Sequence, residues 1–159
     1  MSQRLDYMKA APELTSKLVE LTFAIKKSGL DKKLLALVEI RSSQLNGCAF
    51  CLDMHIKEAK IQGERELRVH HVAIWRESPL FDERERAALA WTEALTKIAA
   101  TGVADELYAE MLAHFSEKEI AELTYQIMVI NAWNRASIAF RVVPGSADKA
   151  FGLDKANLA

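Results

Sequence analysis

Apolar residues along this chain recur at intervals of three and four and almost never alternate, which is the pattern of helices buried on one face rather than of strands. Leu14, Leu18, Leu21 and Ile25 form the first such stripe, with Pro12 suited to its opening turn and Gly29 to its end. Asp31 can cap a second helix in which Leu34, Leu35, Val38 and Leu45 make the buried side, with Glu39 next to it. A third helix is expected over 48–62, with Leu52 and Ala59 extending its buried face and Gly63 closing it, and a fourth over 64–75, ending before Ser78-Pro79. Asp82 with Glu85 and Ser116 with Glu119 have capping-box spacing. The first opens a helix whose Ala88, Trp91, Leu95 and Ile98 share a stripe up to Gly102. The second opens a long helix through Ile120, Leu123, Ile127, Ile130 and Ile138 to just before Pro144-Gly145, and a shorter helix over 105–114 lies between the two. The β-branched runs IMVI and RVVPG fall inside or at the end of the helical pattern, so nothing demands a strand. The expected fold class is all-α, with six to seven helices. It forms a single domain over 1–159, with a core over about 10–147 and a short tail at 148–159. No internal repeat and no linker divides the chain.

Composition narrows the class of function. With 159 residues, half of them hydrophobic, and only six glycines and three prolines, the chain can bury a sizeable core. Its 21 basic and 22 acidic residues are interspersed, so no basic patch supports binding to nucleic acid or to an acidic membrane. The opening MSQRLDYMKA is polar, and no run of ~18 apolar residues is long enough to span a bilayer, so a cytoplasmic protein without a membrane segment is expected. In that reducing setting, two cysteines point to catalysis, redox cycling or metal binding rather than to a structural staple.

The two cysteines stand in the stretch EIRSSQLNGCAFCLDMH, from Glu39 to His55. Cys48, Cys51 and His55 lie at i, i+3 and i+7 and therefore share one helix face. Cβ atoms three residues apart on a helix are roughly 5–6 Å apart, and a first turn can adjust enough for the sulfurs to bond. Asn46-Gly47 is a turn signal that puts Cys48 at or near the helix N-terminus, where free amides and the macrodipole favour a thiolate. His55 can accept or relay a proton for Cys51, and Glu39 can orient or charge that histidine.

Other readings of the same residues stay open. The cysteines can be small buried hydrophobes, and Glu39 can be a solvated rim residue. Zinc held by Cys48, Cys51 and His55 lacks a fourth ligand, since His70, His71 and His114 are scattered. The adjacent His70 and His71 cannot share a helix face, which favours surface or interface positions. A thioredoxin-type motif would follow a strand, and the preceding segment has a helical period. Asn131, Trp133, Asn134 and Arg135 either line a pocket or pack between helices or subunits.

Glu39, the Cys48-Ala-Phe-Cys51 run, His55, the preceding Asn46-Gly47 and the following Lys57-Glu58-Ala59 together resemble the carboxymuconolactone decarboxylase-like superfamily, in its alkylhydroperoxidase D-like (AhpD-like) branch. The resemblance continues through SPLFDERERAALAWTEALT and NAWNRASIAFRVVPG, and so covers roughly residues 10–147. It implies an all-helical homo-oligomer and a peroxidase that reduces hydroperoxides with its two thiols, without metal, haem or other cofactor, and is re-reduced by an external dithiol or disulfide reductase. On this resemblance Cys48 and Cys51 are the redox pair, His55 the motif histidine and Glu39 the upstream glutamate of a proton relay. Two departures stand out. Some peroxidase members carry a histidine immediately before the second cysteine, where this chain has Phe50, and the glutamate-to-cysteine interval matches the short members. Decarboxylase members lack the cysteine pair, so decarboxylation is not implied. Cys51 is expected to attack, being one turn from His55, and Cys48 to be the exposed sulfur at the helix start. A dithiol oxidoreductase that never meets peroxide, and a non-catalytic helical oligomer or zinc-holding module, are the alternatives.

Overall fold

The computed structural model describes residues 2–158 and is all-α. The helices are α1 (Tyr7–Ala10), α2 (Pro12–Lys26), α3 (Lys32–Asn46), α4 (Ala49–Ile61), α5 (Glu66–His71), α6 (Glu83–Thr96), α7 (Asp105–His114), α8 (Glu117–Phe140) and α9 (Asp148–Phe151). Short 3-10 segments occupy Val72–Glu77 and Leu153–Ala156. No described helix is long and apolar enough to cross a membrane.

The caps form as their residue types dictate. Asp31 accepts the amides of Lys33 and Leu34, and Asp82/Glu85 and Ser116/Glu119 are complete reciprocal capping boxes opening α6 and α8. Helix α3 is the hub, packed against α4, α6 and α8. Its residues 34–40 are buried without a break, including Glu39. A helix covered on all sides has no polar face to offer a carboxylate, so Glu39 is carried into the interior with its neighbours. One side of α3, through Leu34, Leu35 and Val38, meets Ala88 and Trp91 of α6 and Leu123 and Ile127 of α8. The other side, through Ala36, Leu37 and Ile40, meets Ala59, Trp75 and Leu89.

Gly47 ends α3 in the left-handed region at φ 69°, where a side chain would be strained. The Cys48 amide then bonds back to the Ser43 carbonyl (3.0 Å), so the chain reverses in two residues and lays α4 along α3.

Four departures from the sequence pattern have local causes. The fourth helix breaks after His71 into a 3-10 segment, because Ile74 leaves helical geometry (φ −122°, ψ 29°). Helix α6 stops at Thr96, which puts Ile98 in solvent. Helix α8 ends at Phe140 with Arg141 in the left-handed region, four residues before Pro144-Gly145. The segment after 147 is packed rather than trailing: Leu153 and Ala156 are buried, and Asp148 pairs with the buried Lys57 of α4 at 2.7 Å.

Candidate active site

The two-residue turn at Gly47-Cys48 makes Cys48 the N-cap of α4, with its sulfur accepting the Cys51 amide at 3.3 Å. The two sulfurs are bonded to each other, across a Cα–Cα distance of 5.4 Å. Cys51 and His55 follow one turn apart on α4 and line one cavity of about 310 Å³. Residues from α1, α2, α8 and α9 complete its largely apolar wall, among them Tyr7, Phe23, Val129, Trp133 and Phe151. Cys48 does not line this cavity and is only 2% exposed, against the expectation of an exposed sulfur. The helix start is tucked against α3 by the short turn, so the N-terminal position is an interior one here.

Glu39 reaches His55 from α3, with its Oε2 3.3 Å from Nδ1. Gln126 of α8 donates from Nε2 to Glu39 Oε1 at 2.9 Å, holding the carboxylate in place. Glu58, one turn beyond His55, accepts from the same Nδ1 at 2.8 Å and is itself 3.5 Å from Lys26 of α2. Both partners of Nδ1 are carboxylates, which accept only, so Nδ1 carries a proton and Nε2 is the nitrogen left for other chemistry. That Nε2 is buried and has no hydrogen-bond partner among the described residues.

Burial alone would lower the proton affinity of His55, but it is outweighed by the charge and hydrogen bond of Glu39 and then by those of Glu58, so the ring is pushed up to about 9. At neutral pH it is an imidazolium. Burial works to raise Glu58, and the hydrogen bond and charge of His55 reverse this, leaving its carboxyl below the ordinary range. Donor atoms of Glu39, His55 and Glu58 lie within 4.8 Å of one another. The 2.8 Å separation is that of a charge-assisted hydrogen bond and the 3.3 Å one that of an ion pair, and the cysteines stand outside this group.

Of the four residues singled out by the motif, Glu39, Cys51 and His55 line one cavity, and Cys48 is bonded to Cys51 without reaching it. Glu58 is the residue of this cluster that the motif does not single out. Its signal is the His-x-x-Glu spacing, which places it on the histidine's side of α4. Gln126 is signalled only weakly, as a polar residue within the apolar stretch of α8. Of the four late polar or aromatic residues, Trp133 alone lines the cavity, bonded through Nε1 to Thr22 Oγ1 at 3.1 Å. Asn131 and Asn134 accept from Asn46 at 3.0 and 2.8 Å, so the two asparagines join α8 to α3, while Arg135 bonds to Asn131 within α8. His70 is exposed and His71 bonds to Ser78.

The fold and this cluster define a helical protein with a buried CxxC–His–Glu constellation, and comparison with known proteins agrees. Residues 12–94 match the model of the carboxymuconolactone decarboxylase family. The chain belongs to that family, in its AhpD-like branch. The uncharacterized protein YdfG of Bacillus subtilis (strain 168) is 40% identical over 139 residues, covering 87% of this chain and 95% of YdfG. A crystal structure from Agrobacterium tumefaciens, of a protein of unknown function described as a putative antioxidant defence protein AhpD, superposes with a TM-score of 0.87 at 42% identity, over 90% of this chain and 98% of that one. The debrominase Bmp8 shares the fold, with a TM-score of 0.79 at 24% identity over 94% of this chain and 80% of its own.

Proposed function

We propose that this chain is a thiol peroxidase that reduces organic hydroperoxides by cycling Cys48 and Cys51 between dithiol and disulfide. The observation that carries the reading is that Cys51 and His55 line one largely apolar cavity, with Glu39 against the histidine. In the reduced form the His55 imidazolium stabilises a thiolate at Cys51. That thiolate attacks the terminal oxygen of the hydroperoxide. The O–O bond breaks, the sulfur gains the hydroxyl as a sulfenic acid, and the departing alkoxide takes the proton from His55 to leave as an alcohol. The Cys48 thiol then condenses with the sulfenic acid, forming the disulfide and releasing water, after which an external dithiol or disulfide reductase returns two electrons and two protons.

The apolar cavity at Cys51 supports a small substrate entering it, and a dithiol oxidoreductase that passes electrons only between thiol partners is the runner-up. Cys51, on the cavity side, is the attacking sulfur on this reading. The zinc alternative needs both sulfurs as free thiolates beside His55, and it gains nothing from a metal-type cluster that excludes them. A homo-oligomer working in a reducing, cytoplasmic setting completes the proposal.

The test adds one equivalent of an organic hydroperoxide to the fully reduced protein. Two thiols are lost per equivalent, and Cys48→Ser and Cys51→Ser each abolish turnover driven by excess dithiol. Unchanged turnover in either variant removes the mechanism.

A further inference from the structure

We infer that Glu58 is a positioning residue for this chemistry: together with Glu39 it grips the Nδ1–H of His55 and so fixes which ring nitrogen is offered to Cys51, with Lys26 anchoring that grip to α2. The inference rests on the peroxidase reading for its catalytic consequence, and on geometry alone for the grip.

The shorter of the two Nδ1 contacts is to Glu58, at 2.8 Å against 3.3 Å for Glu39. Glu39 is shared with Gln126, so its pull on the ring is divided, whereas among the described residues the only other charged partner of Glu58 is Lys26. A histidine held by one carboxylate can rotate half a turn about its Cβ–Cγ bond and present the other nitrogen at the cost of one hydrogen bond. A second carboxylate at the same N–H makes that rotation cost the Glu58 hydrogen bond and the ion pair with Glu39 alike, inside a site where His55 is only 4% exposed. What remains is Nε2, buried and unpartnered, on a residue one turn from Cys51 and lining the same cavity.

The charges around the ring also balance. Glu39 from α3, Glu58 from α4, Lys26 from α2 and the imidazolium itself sum to zero before any thiolate forms. Cys51 of α4 and Tyr7 of α1 are the other titratable groups lining the cavity, while α8 and α9 contribute no charged residue to it. Without Lys26, two carboxylates facing one imidazolium would oppose a thiolate beside them. With it, the imidazolium is free to stabilise that thiolate.

Titration of the His55 ring by NMR in the oxidised, full-length protein tests the grip without involving peroxide. In Glu58→Gln and Glu58→Ala the midpoint is expected to fall by about 1–3 pH units, the usual effect of losing an opposite charge within bonding distance. A midpoint that stays put in both variants overturns the inference. The amide of Glu58→Gln keeps the shape and an acceptor oxygen, so it separates charge from packing. If Glu58→Ala fails to fold, Glu58→Gln alone decides. In dithiol-driven peroxide turnover, Glu58→Gln is expected to lower kcat about tenfold with KM little changed, less than the roughly 10²–10⁴-fold of losing the acid–base group itself, because His55 remains. A wild-type protein that consumes no peroxide, combined with a lowered His55 midpoint in the variants, defeats the peroxidase reading and leaves the grip standing.

Discussion

His55 holds the site's proton, and its environment gives two pH signatures of opposite use. In the folded, oxidised chain its affinity is pushed up to about 9 from an ordinary 6.5, with burial opposing and Glu39 and Glu58 prevailing. A raised folded value means the folded state binds the proton more tightly, so the stabilisation is complete below about 6.5 and is lost as pH rises through about 9. The melting temperature is therefore expected to decline over that interval. In His55→Gln, which has no proton to lose, the decline should flatten. The contribution is at most about 3 kcal/mol, because each tenfold gain in proton affinity on folding is worth about 1.4 kcal/mol. If wild type and variant have parallel pH profiles, His55 is not what titrates. In the reduced chain the same cation is expected to favour a thiolate at Cys51, so His55→Ala should move the pH midpoint of Cys51 alkylation upward by about 1–3 pH units, Lys26 then offsetting only one of the two carboxylates. An unmoved midpoint demotes His55 to packing.

Two of the ties that hold helix α4 to its surroundings differ in how much of them can be read from the residues. At its N-terminus the two-residue turn is legible, because Asn46-Gly47 is a local signal and only Gly47 needs the left-handed region. Capping boxes are legible for the same reason, and so is CxxC with a histidine a turn on: each depends on neighbours in sequence. The second tie is not. Lys57, 6% exposed, sits between Asp53 (2.8 Å) and Asp148 (2.7 Å), and Asp53 also accepts the Gly145 amide, so a charge on α4 docks a segment 91 residues away that sequence alone leaves as a tail. Partners that distant leave no periodicity. Glu58 is inconspicuous for a related reason, since its meaning comes from where α3 places Glu39 and α2 places Lys26. Because Phe151 of the docked segment lines the cavity, the tie bears on access as well as stability. Lys57→Met strands two partly exposed carboxylates and is expected to cost about 1–2 kcal/mol, below the figure for a fully buried pair because water reaches both acids. It should also speed reduction of the disulfide by a small dithiol. Unchanged stability together with an unchanged reduction rate would show that the terminal segment is held by Leu153 and Ala156 alone.

At the scale of the whole molecule, the surface is larger than a solitary domain of this size typically exposes. A monomer of 17.8 kDa typically exposes ~8,000 Å². This chain exposes 9161 Å². Apolar residues are also turned outward on long helices: Leu14 of α2 is 75% exposed, Phe23 58%, and Met128 and Tyr125 of α8 are 57% and 52% exposed. The periodic stripe of α2 assigns Leu14 and Leu21 to the core side, yet only Ile25 of that helix is buried. Period alone says that a face is apolar and leaves open what covers it, so a stripe destined for another subunit and one destined for the core look the same in sequence. Light scattering on the purified protein is therefore expected to return a whole-number multiple of 17.8 kDa at micromolar concentration. Glutamate at Leu14 or at Met128 should lower that multiple while leaving the helical circular dichroism intact, because both side chains are already in water within one protomer. A wild-type mass of one chain would mean that the apolar faces of α2 and α8 are simply tolerated in solvent. A multiple unchanged by both substitutions would move the contact to other surfaces, such as the exposed Tyr108 and Leu112 of α7.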